Sequence, residues 1–251
     1  MSMHEVCDVS DDLRCLGDSG VHLLPEPAGK RVLARLGLAV PRGLVVRSAA
    51  AAREAAQAIG YPVAVKAAVA ELPHKSDVGG VAGPLRAVED VDSAAQRLLN
   101  AFSGAGGEVL VERWQDDGVP CFLALTLQSP FGSVLSFGLG GVWVETVRDI
   151  AHRLAPIDAE EAAGMIRSLR CSAIFAGGHG APAVGTAQLN RTLVALSEVA
   201  EDETMRDVVS EIEINPLLAG PERSVAVDAK VTLRTAAGDD SSDERRKACL
   251  M

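Results

Sequence analysis

Aromatic residues are scarce in this chain, 3% of a composition that is 48% hydrophobic, so its core must be aliphatic, built from alanine, valine and leucine. No apolar run approaches the ~20 residues of a membrane span. Cysteine is sparse and scattered: Cys7, Cys15, Cys121, Cys171 and Cys249 are odd in number and form no CxxC pair. That excludes the usual spacing of a zinc site and gives no disulfide framework. Basic residues are in deficit, 24 against 34 acidic, for a net charge of −10. Such a balance argues against non-specific binding to nucleic acid or to anionic membranes, although glycine-loop amides and a few lysines can still hold phosphate locally. GxSxG, HExxH, Walker A and Rossmann fingerprints are all missing. The opening "MSMHEVCDVSDD" is acidic, unlike a secretory signal, and the expectation is a cytoplasmic protein.

What is present fits 251 residues arranged as two α+β lobes. Residues 1–20 read as a flexible arm and 237–251 as a disordered, charged tail. Between them, 21–107 forms a first lobe and 108–236 a second. Helical spacing of Val32, Leu33 and Leu36 predicts a helix in 26–38, stopped by Gly37. "AAAAREAAQAIG" (49–60) is a helix with Ser48 as its cap, and 88–102 is a helix with an acidic first turn. Strands are expected at "RGLVVRS", "PVAVKA", "GVAGPLRAV" and "EVLVERW" (108–114). In the second lobe, 121–128 and 133–146 pair as a hairpin around "SPFG". Helices follow at 158–170 and 186–203, then a closing hairpin of 208–220 with 224–233.

Strand alternation in the closing hairpin gives the sharpest geometry. Glu211, Glu213 and Asn215 share one face and Ile212 and Ile214 the other. Across the "GPER" turn, Val225, Val227, Ala229 and Val231 fall on the apolar side, with Asp228 and Lys230 opposite. Asn215 and Asp228 should therefore face each other, with Glu213 adjacent. An oxygen-only set on a rigid ribbon suits Mg²⁺, which takes few protein ligands and completes its octahedron with phosphates and water. A solvated hairpin face would show the same pattern. "FGLGGVWVE" (137–145) offers Gly138, Gly140 and Gly141 for an anion to approach backbone amides, though close strand packing explains such glycines as well. Lys66 ends a strand that could carry its charge into a cleft, or into solvent. "VETVRDIAHRLAP" stacks Glu145, Arg148, Asp149, His152 and Arg153, each of which fits a surface position equally. His4, His22 and His179 show no partner pattern. "ELPHKSDVGG" (71–80) sets His74 on a loop, after Pro73 and before Gly79 and Gly80, whose backbone freedom suits a hinge.

Taken in order, "LPHKSDVGGV", "FGLGGVWVETVRDIAHRLAP", "EIEINPLL" and "VAVDAKV" resemble the ATP-grasp domain of ADP-forming acyl-CoA synthetases, the superfamily of succinyl-CoA synthetase and acetate–CoA ligase. The likeness runs from about Leu24 to Leu233. It implies an ATP-grasp fold clamping ATP or ADP between two α+β lobes, with Lys66 and the glycines Gly138, Gly140 and Gly141 at the phosphates. Asn215 and Asp228 would bind Mg²⁺, Glu213 would help hold a phosphohistidine, and His74 would itself be transiently phosphorylated. Glu112, Arg113 and Trp114 fall in the interlobe segment that frames adenine and ribose in the family. There Arg113 and Pro120 stand where acidic residues are expected. No Rossmann-type CoA-binding segment is present. The resemblance thus implies a hetero-oligomer in which a CoA-binding alpha-type subunit supplies a second catalytic histidine and the sites for CoA and a small carboxylic acid. The reaction would be acid + CoA + ATP ⇌ acyl-CoA + ADP + phosphate. An ATP-grasp carboxylate–amine ligase, and a non-catalytic nucleotide-binding homologue, are the alternatives.

Overall fold

The computed structural model describes residues 13, 21–69, 78–127, 131–141, 147–178 and 182–234. His74, His4, His179, Glu145, the arm apart from Leu13 and the tail 237–251 lie outside them. Helix α1 (Glu26–Arg35) starts directly after Pro25 and stops at Gly37, whose φ of +83° few other residues adopt. Strand β1 (Gly43–Val46) follows, then α2 (Ala49–Ile59), where the Ser48 hydroxyl accepts the Ala51 amide at 3.1 Å as expected of its cap. Strands β2 (Val63–Ala67) and β3 (Val81–Leu85), helix α3 (Val88–Ala101) and strand β4 (Val109–Arg113) complete the first unit.

These four strands form one antiparallel sheet in the order β1-β4-β2-β3. One face buries Val63, Val65, Val109 and Val111 under the small residues Ala52, Ala55, Ala56, Ala94 and Ala95, which let α2 and α3 lie close. Strand β2 is buried along its whole length, so alternation also drives Ala64 and Lys66 inside on the other face, beside Glu112 of β4.

The second unit is a sheet in the order β10-β8-β5-β6-β7, formed by β5 (Val119–Thr126), β6 (Val134–Leu139), β7 (Ile150–Leu154), β8 (Val209–Ala219) and β10 (Lys230–Leu233). A short β9 (Ser224–Ala226) pairs with the far end of β8. The apolar face, Leu123, Leu125, Leu135, Phe137, Ile212 and Ile214, packs with residues of α4 (Ala159–Ser168) and α5 (Thr186–Ser197). Asp158 starts α4 with a reciprocal capping box to Glu161. Glu211, Glu213, Thr126, Ser136 and His152 keep partial or full exposure on the opposite face.

Three sequence expectations shift. The lobe boundary expected between residues 107 and 108 does not follow the sheets. β4 belongs to the first sheet, while α1 joins the second core through Val32 and Leu33, and Leu24 donates to the Val231 carbonyl at 3.0 Å. The helix expected over 186–203 ends at Ser197; a 3₁₀ segment (Glu198–Glu201) intervenes before α6 (Glu203–Val208), which Asp202 caps. The second strand of the closing hairpin is broken between Ala226 and Lys230, which leaves Val227 half-buried instead of on the apolar face. Pro216 on β8 has no N–H to give the ladder there.

Candidate functional site

Pairing is the same on both sides of that break: Glu213 opposes Lys230 and Leu217 opposes Ala226. Counted inward from either side, Asn215 falls opposite Asp228, as strand geometry predicts. The Val227 amide donates to the Pro216 carbonyl at 3.0 Å and holds the bend closed. Asp228 is half-buried and its Oδ1 accepts from the Ala229 amide at 2.8 Å, which fixes the carboxylate against its own backbone. Glu213, two residues along the strand, meets Lys230 Nζ at 3.4 Å.

The glycine segment arrives from β6. Gly138 and Gly140 are packing glycines: an added Cβ would overlap the Asp149 carbonyl at the first and the Cys121 carbonyl at the second. Gly141 differs. It has φ +62°, a Cβ there would make only ordinary contact with Pro120 Cβ at 3.9 Å, and its amide donates to Asn215 Oδ1 at 2.7 Å. The two motifs therefore converge on one side chain. Asn215 retains the second lone pair of that oxygen, and with the Asp228 carboxylate it makes an oxygen-only pair. Among the described residues no group of three or more His, Cys, Asp and Glu could enclose a metal unaided. A two-ligand site fits Mg²⁺, whose remaining positions are taken by phosphate and water.

Lys66 lies directly behind. Its ammonium contacts Glu26 Oε1, Glu112 Oε1 and the Val227 carbonyl, each at 2.8 Å. Lys30 adds contacts to Glu26 at 2.7 Å and Glu112 at 2.5 Å. None of the four side chains is more than 6% exposed as a residue. Burial alone would lower the Lys66 pKa, but Glu26, Glu112 and Asp228 outweigh it and raise the value above that of an ordinary lysine. Burial and the charge of Lys66 together lower that of Lys30. Three acceptors match the three hydrogens of an ammonium, so in this conformation Lys66 directs its donors to protein and not to a phosphate. Sequence reasoning missed Glu26 and Lys30. The signal was an i, i+4 acid–lysine pair sharing a helical stripe with Leu33, which places charge on the inward face.

The interlobe residues point elsewhere. Glu112 belongs to the buried cluster, the Arg113 guanidinium donates to the Tyr61 carbonyl, and the Trp114 ring lies so close to Gly83 that a Cβ there would meet Cζ3 at 2.7 Å. Of the "VETVRDIAHRLAP" residues, Asp149 is structural: its carboxylate accepts the Arg170 and Cys171 amides at 3.1 and 2.8 Å. His152 Nδ1 lies 2.8 Å from Ser136 Oγ on the open sheet face. His74 lies outside the described residues.

A family model described as an ATP-grasp domain matches residues 16–233. The chain belongs to the ATP-grasp family. This ATP-grasp chain is 32% identical over 215 residues to the subunit beta of acetate–CoA ligase [ADP-forming] I from Pyrococcus furiosus, across 84% of the chain and 91% of that relative. It is 31% identical to the ADP-forming 4-hydroxybutyrate–CoA ligase of Nitrosopumilus maritimus, over 78% of the chain and 28% of that longer protein. Among solved structures, acetyl-coenzyme A synthetase 1 of Ca. Korarchaeum cryptofilum, in complex with coenzyme A, Ca-AMPCP and HgCl⁺, superposes with a TM-score of 0.82 at 29% identity. That match covers 89% of this chain and 99% of the other. The same synthetase in complex with coenzyme A and Mg-AMPPCP, its phosphohistidine segment pointing towards the nucleotide binding site, gives 0.78 at 29% identity, covering 90% and 100%. The ATP-grasp fold expected from the sequence is the fold observed. No helix among the described residues is long and apolar enough to cross a membrane.

Proposed function

We infer that this chain is the nucleotide-binding subunit of an ADP-forming acyl-CoA synthetase, catalysing with a partner acid + CoA + ATP ⇌ acyl-CoA + ADP + phosphate. The observation that carries the reading is the convergence of Gly141, Asn215 and Asp228, with Lys66 buried behind them. Asn215 and Asp228 hold Mg²⁺, which when bound neutralises charge on the nucleotide phosphates. The glycine turn sets Asn215, and Glu213 presents a carboxylate on the same face to a phosphohistidine ring N–H. His74 carries the phosphoryl group. In the direction of ATP synthesis its N–P bond breaks as a β-phosphate oxygen of ADP bonds to phosphorus, and the imidazole leaves with its electron pair. Positioning and charge supply most of the rate.

Relatives named as beta subunits support a separate partner chain. That partner is a CoA-binding alpha-type subunit with a second catalytic histidine, at which the acid and CoA bind. Calorimetric titration with MgADP tests the site. Asp228→Ala, which removes a charged ligand, weakens binding more than Asn215→Ala, which removes a neutral one. Unchanged affinity in both folded variants refutes the metal assignment.

A further inference from the structure

Among the described residues Arg148 is the one non-glycine with a positive φ, at +49°. A residue with a Cβ is strained there and stays only where its surroundings over-determine it. Both neighbours are pinned. The Val147 carbonyl accepts from Arg170 Nη2 at 3.0 Å, and the buried Asp149 carboxylate accepts the Arg170 and Cys171 amides at 3.1 and 2.8 Å. The Asp149 carbonyl lies so close to Gly138 that a Cβ there would meet it at 2.3 Å. Arg148 itself is exposed. The fold thus holds a charged surface side chain in a strained backbone conformation that core packing does not call for. Its place is specific. Gly138 pairs with Ile150, so two residues further on Arg148 comes level with Gly140, beside the turn whose Gly141 amide holds Asn215. In the sheet order β10-β8-β5-β6-β7, Asp228 and Asn215 stand at the β10–β8 end and Arg148 at the β7 end, about 14 Å from β8 by strand spacing. Lys66 meets the Val227 carbonyl at the β10 end. A polyphosphate running from that end past the metal pair directs its terminal group toward Arg148. We propose that Arg148 is a further catalytic residue: its guanidinium binds the terminal phosphoryl group of the nucleoside triphosphate, the group being transferred, across the metal pair from Lys66. The inference rests on Asn215 and Asp228 being the Mg²⁺ ligands and on the phosphoryl transfer proposed above. Arg148 makes and breaks only hydrogen bonds and keeps its protons, while the bond to phosphorus is exchanged between the ADP oxygen and the imidazole nitrogen. Arg148 already has a partner within the chain. A guanidinium carries five N–H donors, so it can keep that contact and still give two parallel hydrogen bonds to phosphate oxygens.

Calorimetry on the full chain with two probes, MgADP and Mg–AMPPCP, reads the terminal phosphate by difference. Arg148→Met should weaken Mg–AMPPCP about tenfold, the loss of a charge-assisted hydrogen bond at an exposed site, and leave MgADP within about twofold of wild type. Arg148→Lys keeps a point charge without the planar fork and should bind Mg–AMPPCP with an affinity between wild type and Arg148→Met. Wild-type Mg–AMPPCP affinity in Arg148→Met overturns the proposal. So does an equal loss of both nucleotides, which would make Arg148 a contact of the inner phosphates or a support of the fold. Arg148→Lys binding no better than Arg148→Met overturns it as well, because charge is then not what the site uses. Asp228→Asn identifies which layer has failed. If it weakens both nucleotides while Arg148→Met binds both as wild type, only the assignment of Arg148 is wrong; if it binds both as wild type, the metal reading falls and the proposal with it.

Discussion

Replacing Glu112 with glutamine keeps the shape of the side chain and deletes one of the two charges that neutralise Lys30 and Lys66. Two ammonium groups would then share Glu26 in a space almost closed to water. At 2.8 Å a unit charge pair is worth about 6 kcal/mol at an effective dielectric of about 20. Relief of the carboxylate's own desolvation offsets part of that loss, and broken buried pairs cost about 3–5 kcal/mol in practice. With a urea dependence of about 2 kcal/mol per molar, a loss of about 4 kcal/mol lowers the unfolding midpoint by about 2 M, read by far-ultraviolet circular dichroism. Adding Lys30→Met to Glu112→Gln restores neutrality and should recover about half of the deficit or more, a coupling that only contacting groups show. The Lys66 pKa is raised above 10.5, so its contribution is fully present below that value and is lost only as pH rises through the higher folded value. The stability gap between wild type and Lys66→Met should accordingly stay constant from pH 7 to 9. A Glu112→Gln midpoint within about 0.3 M of wild type, with no coupling to Lys30→Met, would refute the electrostatic reasoning; on the same slope that shift is about 0.6 kcal/mol.

Other expectations follow from single contacts. His74→Ala should abolish phosphoryl transfer to ADP in the assembled enzyme while leaving MgADP titration unchanged; normal turnover would remove the histidine from the pathway. Gly140→Ala, whose Cβ meets the Cys121 backbone, should cost about 1–3 kcal/mol of stability or more. Gly141→Ala, strained only by its positive φ, should cost about 1–2 kcal/mol, with both changes read by urea unfolding. Burial and the nearby Asp149 carboxylate push the Cys171 thiol up to about 11. Its alkylation, followed by peptide-resolved mass spectrometry, should therefore climb only as pH nears that value, and Asp149→Asn should shift the profile down.

Where side-chain periodicity and turn chemistry act locally, the sequence was legible. The Ser48 cap, the stop at Gly37, the strands of the first sheet and the register that sets Asn215 against Asp228 all follow from neighbours a few residues apart, whereas β7, inside the charged stretch 144–156, was not expected. The break between Ala226 and Lys230 was not foreseen, because it depends on a proline in the opposite strand. The buried cluster was missed for a similar reason. Lys66 looks solvated when β2 is read alone, and only the burial of both faces of β2, together with α1 crossing from the other core, forces four charges into one interior. Glu112, Arg113 and Trp114 are consecutive, yet alternation and packing send their side chains to different surroundings. Motif resemblance grouped them; strand geometry separates them.

The central claim, that this chain is the nucleotide-binding half of an acid–CoA ligase, is tested most directly by ADP release. The full chain, co-purified with its CoA-binding partner, should release ADP from MgATP only when both CoA and a small carboxylic acid are present, with acyl-CoA formed in equal amount and neither chain active alone. ADP release that needs an amine acceptor and ignores CoA, or acyl-CoA synthesis by this chain without a partner, would contradict it.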